Sequence, residues 1–297
     1  MINDYMLLKG RIKMIYLENG DAKVKISEIG AELKSFNYKG VEYIWQGDEN
    51  TWEESSPILF PICGGLKDDE FILNNKTYSL KKHGYARFCN FKVESADKNA
   101  TTFLLKSNAE SRAHFPFNYE LRVTFALKEN VLSVKYDVKN LSDDTMYFSI
   151  GAHEGYNCPE GIEDYDVIFP QNETLNSNTV CGSLMEHNTI PIIENSDRIK
   201  LDYKYFSIDA LIFKDLKSRS ATLKNRVTER AIKVDFDGFD YFLLWTIPGA
   251  SYICMEPWCG MPDSVDSNKD ITQKEGIVTV EGGNNFSRTH SISILED

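Results

Sequence analysis

A strict alternation of apolar and polar residues marks residues 119–140. The alternation is interrupted once, by the polar triplet Lys128-Glu129-Asn130. The apolar positions are Leu121, Val123, Phe125 and Leu127 before the triplet, and Leu132, Val134, Tyr136 and Val138 after it. Successive side chains of a β-strand point to opposite faces of the sheet, so this pattern predicts an antiparallel hairpin with one buried face.

Shorter runs that are rich in β-branched and aromatic residues recur along most of the chain, bounded by Gly, Asn, Asp or Pro. We interpret them as strands; they cover residues 23–26, 32–38, 43–45, 91–94, 102–105, 147–150, 167–169, 211–213, 232–236, 242–245, 252–255, 277–280 and 291–295. A helical stripe does not persist over 12 or more residues, and we expect only short helical turns near Asp209 and at 269–275. The sequence therefore predicts an all-β protein, built as a large antiparallel β-sandwich.

The chain of 297 residues is compatible with one domain, because all-β sandwiches of this length often fold as a unit. We predict a single domain over residues 14–297, since the strand pattern begins at a second methionine, Met14. Residues 1–13 are then an N-terminal extension or the start of the first strand. Residues 171–200 are rich in Asn and weakly patterned, so we interpret them as a long loop rather than as a domain boundary.

The net charge of the chain disfavours some classes of binding partner. Thirty-three Lys and Arg residues stand against 45 Asp and Glu, a formal net charge of -12, and no basic cluster reverses this field locally. Such a charge repels nucleic acid and anionic membrane surfaces. The chain also has no apolar stretch of about 20 residues and no signal-peptide pattern at its start. We therefore expect a cytoplasmic protein that binds a small neutral molecule; the sequence leaves its oligomeric state open.

The six cysteines show neither a Cys-x-x-Cys pair nor a Cys/His cluster with zinc-ligand spacing. We expect free thiols, as is usual in a reducing compartment, and no metal site.

Three segments carry residues that ordinary strands and turns do not require. They read Lys-His-Gly-Tyr-Ala-Arg at 82–87, Gly-Ala-His-Glu-Gly-Tyr-Asn at 151–157 and Cys-Met-Glu-Pro-Trp-Cys-Gly at 254–260. His83 and His153 can donate protons and Glu256 can accept one, while nearby Trp and Tyr rings can stack on a sugar. Each residue also has a structural interpretation: a histidine in a hydrogen-bonded turn, Glu256 in an ion pair, and Trp258 in the core. Spacing alone does not show that the three segments meet.

Together with three further motifs in the same order, these segments resemble the aldose 1-epimerase (galactose mutarotase) family, and most closely its LacX-like branch. The further motifs are Ser-Pro-Ile-Leu-Phe-Pro at 56–61, Leu-Ile-Phe-Lys at 211–214 and Lys-Glu-Gly-Ile at 274–277. The match runs from about Met14 to the C-terminus. The resemblance implies a galactose mutarotase-like supersandwich with its site in a groove across one sheet.

The resemblance also implies a mechanism. Mutarotation interconverts the α and β anomers of a free aldose by opening and reclosing its ring. Glu256 is then the base that takes the proton from the C1 hydroxyl, His153 is the acid that protonates the ring oxygen, and His83 is a second donor. The reaction needs no metal and no organic cofactor. The expected partner is a monosaccharide.

The sequence departs from the family pattern at two positions. Members commonly carry an arginine after the Phe-Pro turn, where it contacts the sugar, but Gly65 takes that place here. The histidine segment usually continues with proline, and here Glu154 follows His153. Either Arg87 or Lys67 could compensate for the missing fork of hydrogen-bond donors. With these two, the predicted sugar-binding residues are Arg87, Lys67, Asn157, Trp258 and Asp209.

Three functions remain open at this point. The first is a mutarotase acting on a free hexose such as galactose or glucose. The second is a sugar-binding or regulatory protein without turnover, which the glycine at position 65 motivates. The third is a hexose 6-phosphate mutarotase, which the net charge disfavours because a dianion requires a cationic pocket.

Overall fold

A computed structural model describes residues 13–228 and 230–296, and the prediction for residues 1–12 lies outside this part of the chain. Within it the strands, in chain order, are β1 (Met14–Asn19), β2 (Ala22–Ser27), β3 (Leu33–Tyr38), β4 (Val41–Glu42), β5 (Glu70–Leu73), β6 (Lys76–Ser79), β7 (Lys92–Ala96), β8 (Ala100–Lys106), β9 (Tyr119–Lys128), β10 (Val131–Asn140), β11 (Met146–Phe148), β12 (Ile150–Gly151), β13 (Glu154–Asn157), β14 (Tyr165–Cys181), β15 (Leu184–Lys200), β16 (Leu211–Phe213), β17 (Ser220–Asn225), β18 (Ala231–Asp235), β19 (Tyr241–Trp245), β20 (Tyr252–Cys259), β21 (Val278–Val280) and β22 (Asn285–Leu295). One short α-helix, α1, spans Ala109–His114. The 3₁₀ helices are Lys67–Asp69, Ala86–Phe88, Ile162–Asp164, Tyr203–Ile208 and Ile271–Gln273.

Two antiparallel sheets dominate the architecture. The larger has nine strands in the order β15-β14-β17-β18-β22-β10-β9-β8-β7. The smaller has the order β12-β20-β19-β16, with β13 also paired to β20. Smaller sheets are formed by β1–β4, by β5 with β6 and by β11 with β21. The predicted fold class, an all-β antiparallel sandwich, is confirmed. Among the described residues, no helix is both long and apolar enough to cross a membrane.

The hairpin predicted at 119–140 is confirmed as β9 and β10, which pair from Tyr119 opposite Asn140 to Lys128 opposite Val131. Every apolar residue of the alternating pattern is buried, with exposures of 2% or less. The intervening positions are partly or fully exposed. One face of this hairpin therefore packs into the core and the other faces solvent.

The main core lies between the two large sheets. It combines inward residues of the nine-stranded sheet, such as Val123 and Ile292, with inward residues of the five-stranded sheet, such as Phe242, Ile253 and Met255. Strand β20 is buried along its whole length. Because side chains alternate along a strand, the residues between those core positions must face the opposite side of the five-stranded sheet. That outer face carries the candidate site.

The interpretation of residues 171–200 as a loop is wrong, because they belong to the long hairpin β14–β15. Four register shifts interrupt the pairing of these two strands, so bulges break the period of two. Strand β15 is also the outermost strand of its sheet, and only two of its 17 residues are buried, so it has no continuous apolar face. Residues 43–45, predicted as a strand, make only one isolated bridge, at Ile44. The helical turns expected near Asp209 and at 269–275 are confirmed.

Candidate active site

The outer face of the five-stranded sheet forms the floor of a pocket. Glu256 and Trp258 project onto this face from β20, and Leu243 and Trp245 project onto it from the neighbouring strand β19. Ile212 of β16 completes the floor. All five side chains come from paired strands, so the strand register fixes their relative positions.

His153 lies in the two-residue link between β12 and β13, both of which pair with β20. This geometry places the imidazole beside the carboxylate of Glu256, with Nε2 3.4 Å from Oε2. The indole Nε1 of Trp258 donates a hydrogen bond to the carbonyl oxygen of Ala152 at 3.0 Å, which ties the link to β20. The carboxylate oxygen Oε2 has no hydrogen-bond partner within the described chain.

His83 reaches the same pocket from a turn outside both large sheets. Its backbone has a φ of 66°, in the left-handed region, and Gly84 follows with a φ of 69°. A side chain at position 84 would place its Cβ 2.3 Å from the carbonyl oxygen of Phe60, so only glycine fits there. The His83 ring stands perpendicular to the His153 ring, with centroids 5.5 Å apart.

The hydrogen bonding of His83 defines its tautomer. The backbone N–H of Gly64 donates to Nδ1 at 3.1 Å, so Nδ1 acts as an acceptor. In the neutral ring the proton therefore sits on Nε2, which is left as a hydrogen-bond donor.

These residues surround a cavity of about 220 Å³. This volume lies below the roughly 300–1,000 Å³ of pockets that hold drug-sized ligands. Its wall and floor are formed by Trp52, Glu54, Gly64, Lys82, His83, Arg87, His153, Val180, Ser183, Asp209, Ala210, Ile212, Leu243, Trp245, Glu256, Trp258 and Pro262. Aromatic rings and a few polar groups thus enclose a space of the size of a single sugar ring.

Burial shifts the proton affinities of the central pair toward their neutral forms. Desolvation raises the pKa of Glu256 well above its usual range; nearby Lys82 opposes this rise and the charge of Glu154 adds to it. Desolvation lowers the pKa of His153 to about 3. It also lowers the pKa of His83 well below its usual value, and the neighbouring His153 contributes. When both groups are neutral, the pair of Glu256 and His153 carries one titratable proton, and it sits on the carboxyl group.

Two ion pairs flank the cavity. Lys82 Nζ lies 3.8 Å from Asp209 Oδ2, and Arg87 Nη1 donates to Glu54 Oε2 at 3.0 Å. The Nε–H of Arg87 is buried and has no partner among the described residues. The charge of each cation is therefore neutralised by a carboxylate. The hydrogen-bonding groups of these side chains that are not used in the ion pairs remain available to a polar ligand.

The turn of the β14–β15 hairpin occupies the space beside Gly65. A Cβ at position 65 would lie 2.3 Å from Ser183 Oγ, and the Gly65 N–H donates to the Ser183 carbonyl oxygen at 3.2 Å. Farther along β14, the hydroxyl of Ser177 accepts a hydrogen bond from the Ile212 N–H at 2.8 Å. The hairpin is thus held against the five-stranded sheet, and Val180 and Ser183 form part of the pocket wall.

We expect Gly65→Arg to destabilise the protein and not to restore a sugar-binding arginine. The new side chain must displace the hairpin turn, and overpacking of this kind costs about 1–3 kcal/mol of unfolding free energy. Denaturant unfolding measures this loss, and calorimetry measures sugar affinity. An unchanged unfolding free energy together with tighter sugar binding would contradict the packing seen beside Gly65.

The structure brings together most of the predicted site residues. His83, His153, Glu256, Arg87, Asp209 and Trp258 all line the cavity. Lys67 does not, because its ammonium group donates to the Ser267 carbonyl oxygen at 3.2 Å. Asn157 does not either, because its amide group donates to the carbonyl oxygen of Ile44 at 2.9 Å. We therefore leave Lys67 and Asn157 out of the candidate site.

Other lining residues were not predicted from the sequence. Trp52 and Glu54 lie in an irregular segment that has no periodic pattern. Val180 and Ser183 lie in the segment misread as a loop. Trp245 ends a run that was predicted as a strand, and a tryptophan at the end of an apolar strand was the one signal that could have identified it.

One group of potential metal donors touches the pocket. Ligand atoms of His153, Cys254 and Glu256 lie within 4.8 Å of one another, and zinc binds these residue types. The thiol of Cys254, however, is fully buried against Tyr252, packed beneath the tryptophan rings, and is not part of the cavity wall. Burial raises its pKa well above the usual range, which favours the neutral thiol. Of these three potential donors, only His153 and Glu256 face the cavity, and this imidazole and carboxyl group form a pair suited to proton transfer.

Known proteins resemble this chain over nearly its whole length. The family model for aldose 1-epimerase matches residues 13–290. Protein LacX of Lactococcus lactis subsp. lactis is 34% identical, over 95% of this chain and 99% of the relative.

Two solved structures are similar throughout. A galactose mutarotase related enzyme from Lactobacillus acidophilus superposes with a TM-score of 0.90 at 32% identity, covering 96% of this chain and 98% of the other. A galactose mutarotase-like protein from Lactobacillus casei gives a TM-score of 0.90 at 32% identity, covering 95% of this chain and 100% of the other. The resemblance inferred from the sequence motifs is confirmed: the chain belongs to the aldose 1-epimerase family.

Proposed function

We propose that this protein is an aldose 1-epimerase that interconverts the α and β anomers of a free hexose such as galactose or glucose. The observation that carries the proposal is the 3.4 Å contact between His153 Nε2 and Glu256 Oε2 at a cavity sized for one sugar ring. Family membership supports an isomerase of this type.

In the proposed mechanism the carboxylate of Glu256 removes the proton of the C1 hydroxyl, while protonated His153 gives its proton to the ring oxygen. The bond between C1 and the ring oxygen breaks and an aldehyde forms. Rotation about the C1–C2 bond presents the other face of the aldehyde, and both proton transfers then reverse. A positioned acid or base typically contributes about 10²–10⁴-fold each. The Nε2–H of His83 donates a hydrogen bond that holds the sugar.

The proton count of the site fits this cycle. The ring-opening step starts from the carboxylate and the imidazolium, and ends with a neutral carboxyl group and a neutral imidazole. Both states hold one proton, and burial favours the second.

We expect the pH profile of kcat/KM to be bell-shaped, because the pair works only when it holds one proton. As pH falls through the lowered pKa of His153, about 3, a second proton enters and the acceptor is lost. As pH rises through the raised pKa of Glu256, the last proton leaves and the donor is lost. Polarimetry corrected for the spontaneous rate measures this profile. A rate that increases steadily with pH, without an alkaline fall, would contradict the one-proton pair.

The rest of the pocket favours a neutral sugar. The rings of Trp52, Trp245 and Trp258 offer apolar surfaces to the sugar ring. Lys82 and Arg87 are the cations of the cavity wall, and each already faces a carboxylate. A phosphate dianion would have to compete with Asp209 and Glu54 for them, so we disfavour a hexose 6-phosphate as substrate.

The decisive experiment is a polarimetric panel of α-galactose, α-glucose and glucose 6-phosphate at low protein concentration. We expect acceleration with the free hexoses and a much smaller effect with the phosphate. If calorimetry detects sugar binding while mutarotation stays at its spontaneous rate, the protein is a sugar-binding protein without turnover. Equal turnover of glucose and glucose 6-phosphate would show that the phosphate is not discriminated against.

A further inference from the structure

A buried glutamate–histidine pair crosses the core directly behind the candidate site. Glu154 follows His153 in the chain, and its Oε1 lies 2.9 Å from Nε2 of His290. Their side chains are 5% and 0% exposed. Glu154 belongs to β13 on the five-stranded sheet and His290 belongs to β22 on the nine-stranded sheet. The pair therefore joins the two sheets through their common core.

This pair is costly to bury. The second carboxylate oxygen of Glu154 and Nδ1 of His290 have no hydrogen-bond partner within the described chain. The rings of Tyr136 and Phe239 pack around His290, with centroids 5.7 and 5.9 Å away. Buried polar pairs in such surroundings often contribute little or nothing to stability compared with apolar residues of similar size. Because Glu154 directly follows His153, we ask whether the pair acts on the position of His153 and not on stability.

Among the described residues, no neighbouring side chain or carbonyl group holds the second ring nitrogen of His153. A catalytic histidine is commonly oriented by a hydrogen bond from its second ring nitrogen to a carboxylate or carbonyl group. Here Nδ1 of His153 is buried and has no partner among the described residues. The rings of Trp52 and Trp245 pack against the imidazole at 5.2 and 5.5 Å. Besides these ring contacts and the contact with Glu256, its position depends on the backbone that carries it.

That backbone is fixed on both sides by its neighbours. Ala152 is tied to Trp258, as described above, and Glu154 pairs with Met255, which precedes Glu256 in β20. Because successive side chains of a strand point to opposite faces, a Glu154 side chain held in the core directs the preceding residue toward the pocket. The bond from Glu154 to His290 holds the residue next to His153 against the opposite sheet.

We propose that the Glu154–His290 pair is a positioning unit, which holds His153 at hydrogen-bonding range of the reacting sugar and of Glu256. The inference rests on the proposed function. The hydrogen bond to the opposite sheet provides the constraint.

The test compares variants that break the bond with one that keeps it. Glu154→Met combined with His290→Leu fills the core with apolar side chains, a change that can be nearly neutral for folding. We expect its kcat to fall about 10- to 100-fold with little change in KM, because displacements near 1 Å can cost about 10²-fold in rate. Glu154→Gln retains an acceptor for His290 and should stay within about threefold of the wild-type kcat. Glu154→Met alone serves as a second broken variant if the double variant does not fold.

Glu173→Gln is the matched control. This glutamate is also buried, at 1% exposure, and accepts hydrogen bonds from Ser218, but it does not line the cavity. It should lose stability without losing kcat. Wild-type kcat in a folded broken variant would overturn the proposal.

A readout without sugar separates this proposal from the proposed function. The ¹⁵N resonances of the His153 imidazole report its surroundings in the free protein. We expect them to move in Glu154→Met/His290→Leu and to stay in place in Glu154→Gln. Unmoved resonances in the double variant would refute the positioning role, whether or not the protein accelerates mutarotation. Absence of acceleration by the wild type would refute only the proposed function.

Discussion

Glu256→Gln should reduce the acceleration of hexose mutarotation by about 10²–10⁴-fold, the contribution of a positioned general base. Glutamine has nearly the same shape as glutamate but cannot take up the C1 hydroxyl proton. Because the residue lies on a strand that is buried along its length, an isosteric change keeps the packing around it. Polarimetry with galactose and glucose measures the rate, and calorimetry measures the affinity for the sugar.

The control for this variant is again Glu173→Gln, since both glutamates are 1% exposed and only Glu256 faces the cavity. We expect Glu256→Gln to bind sugar within about tenfold of the wild type, the effect of about one hydrogen bond. Unchanged acceleration would remove Glu256 from the mechanism. Loss of binding together with rate would instead assign the residue to substrate recognition.

His153→Gln should have the second largest effect, again about 10²–10⁴-fold in kcat, because an amide can donate a hydrogen bond but cannot transfer a proton to the ring oxygen. The same substitution at His83 should cost less, roughly tenfold in kcat/KM, because a neutral His83 contributes one hydrogen bond rather than a proton. Polarimetry of the two variants side by side separates the roles. An equal loss in both would mean that the two histidines act as one proton-transfer unit.

The arrangement of apolar and polar residues along each strand explains how far the sequence could predict the structure. The β9–β10 hairpin was predictable because its inward residues from Leu121 to Val138 are apolar and the single break falls at the turn. Strand β20 was predictable as a strand, but both its faces are buried, so its residues do not alternate and its pocket-facing side was not visible. Only the family resemblance suggested that Glu256 meets His153.

What could not be predicted depends on contacts between distant segments. Ser183 reaches Gly65 through a hairpin whose bulges hide its strand character. Lys67 was a reasonable candidate by its place in the chain, yet its ammonium group turns to the Ser267 carbonyl oxygen. Glu154 was recognised as a departure from the family pattern, but its partner is 136 positions away. The order of apolar and polar residues within one segment carries no information about contacts with a distant segment.

The wall beside Gly65 and the floor of the cavity come from different sheets. The residues proposed to transfer protons are anchored to one sheet, whereas Val180 and Ser183 are carried by the outermost hairpin of the other. Changes in the length or composition of that hairpin turn would reshape the sugar-contacting surface and leave the reacting groups in place. Selectivity and chemistry could therefore evolve along separate routes, with new sugars accommodated by remodelling an edge rather than by altering the catalytic strands.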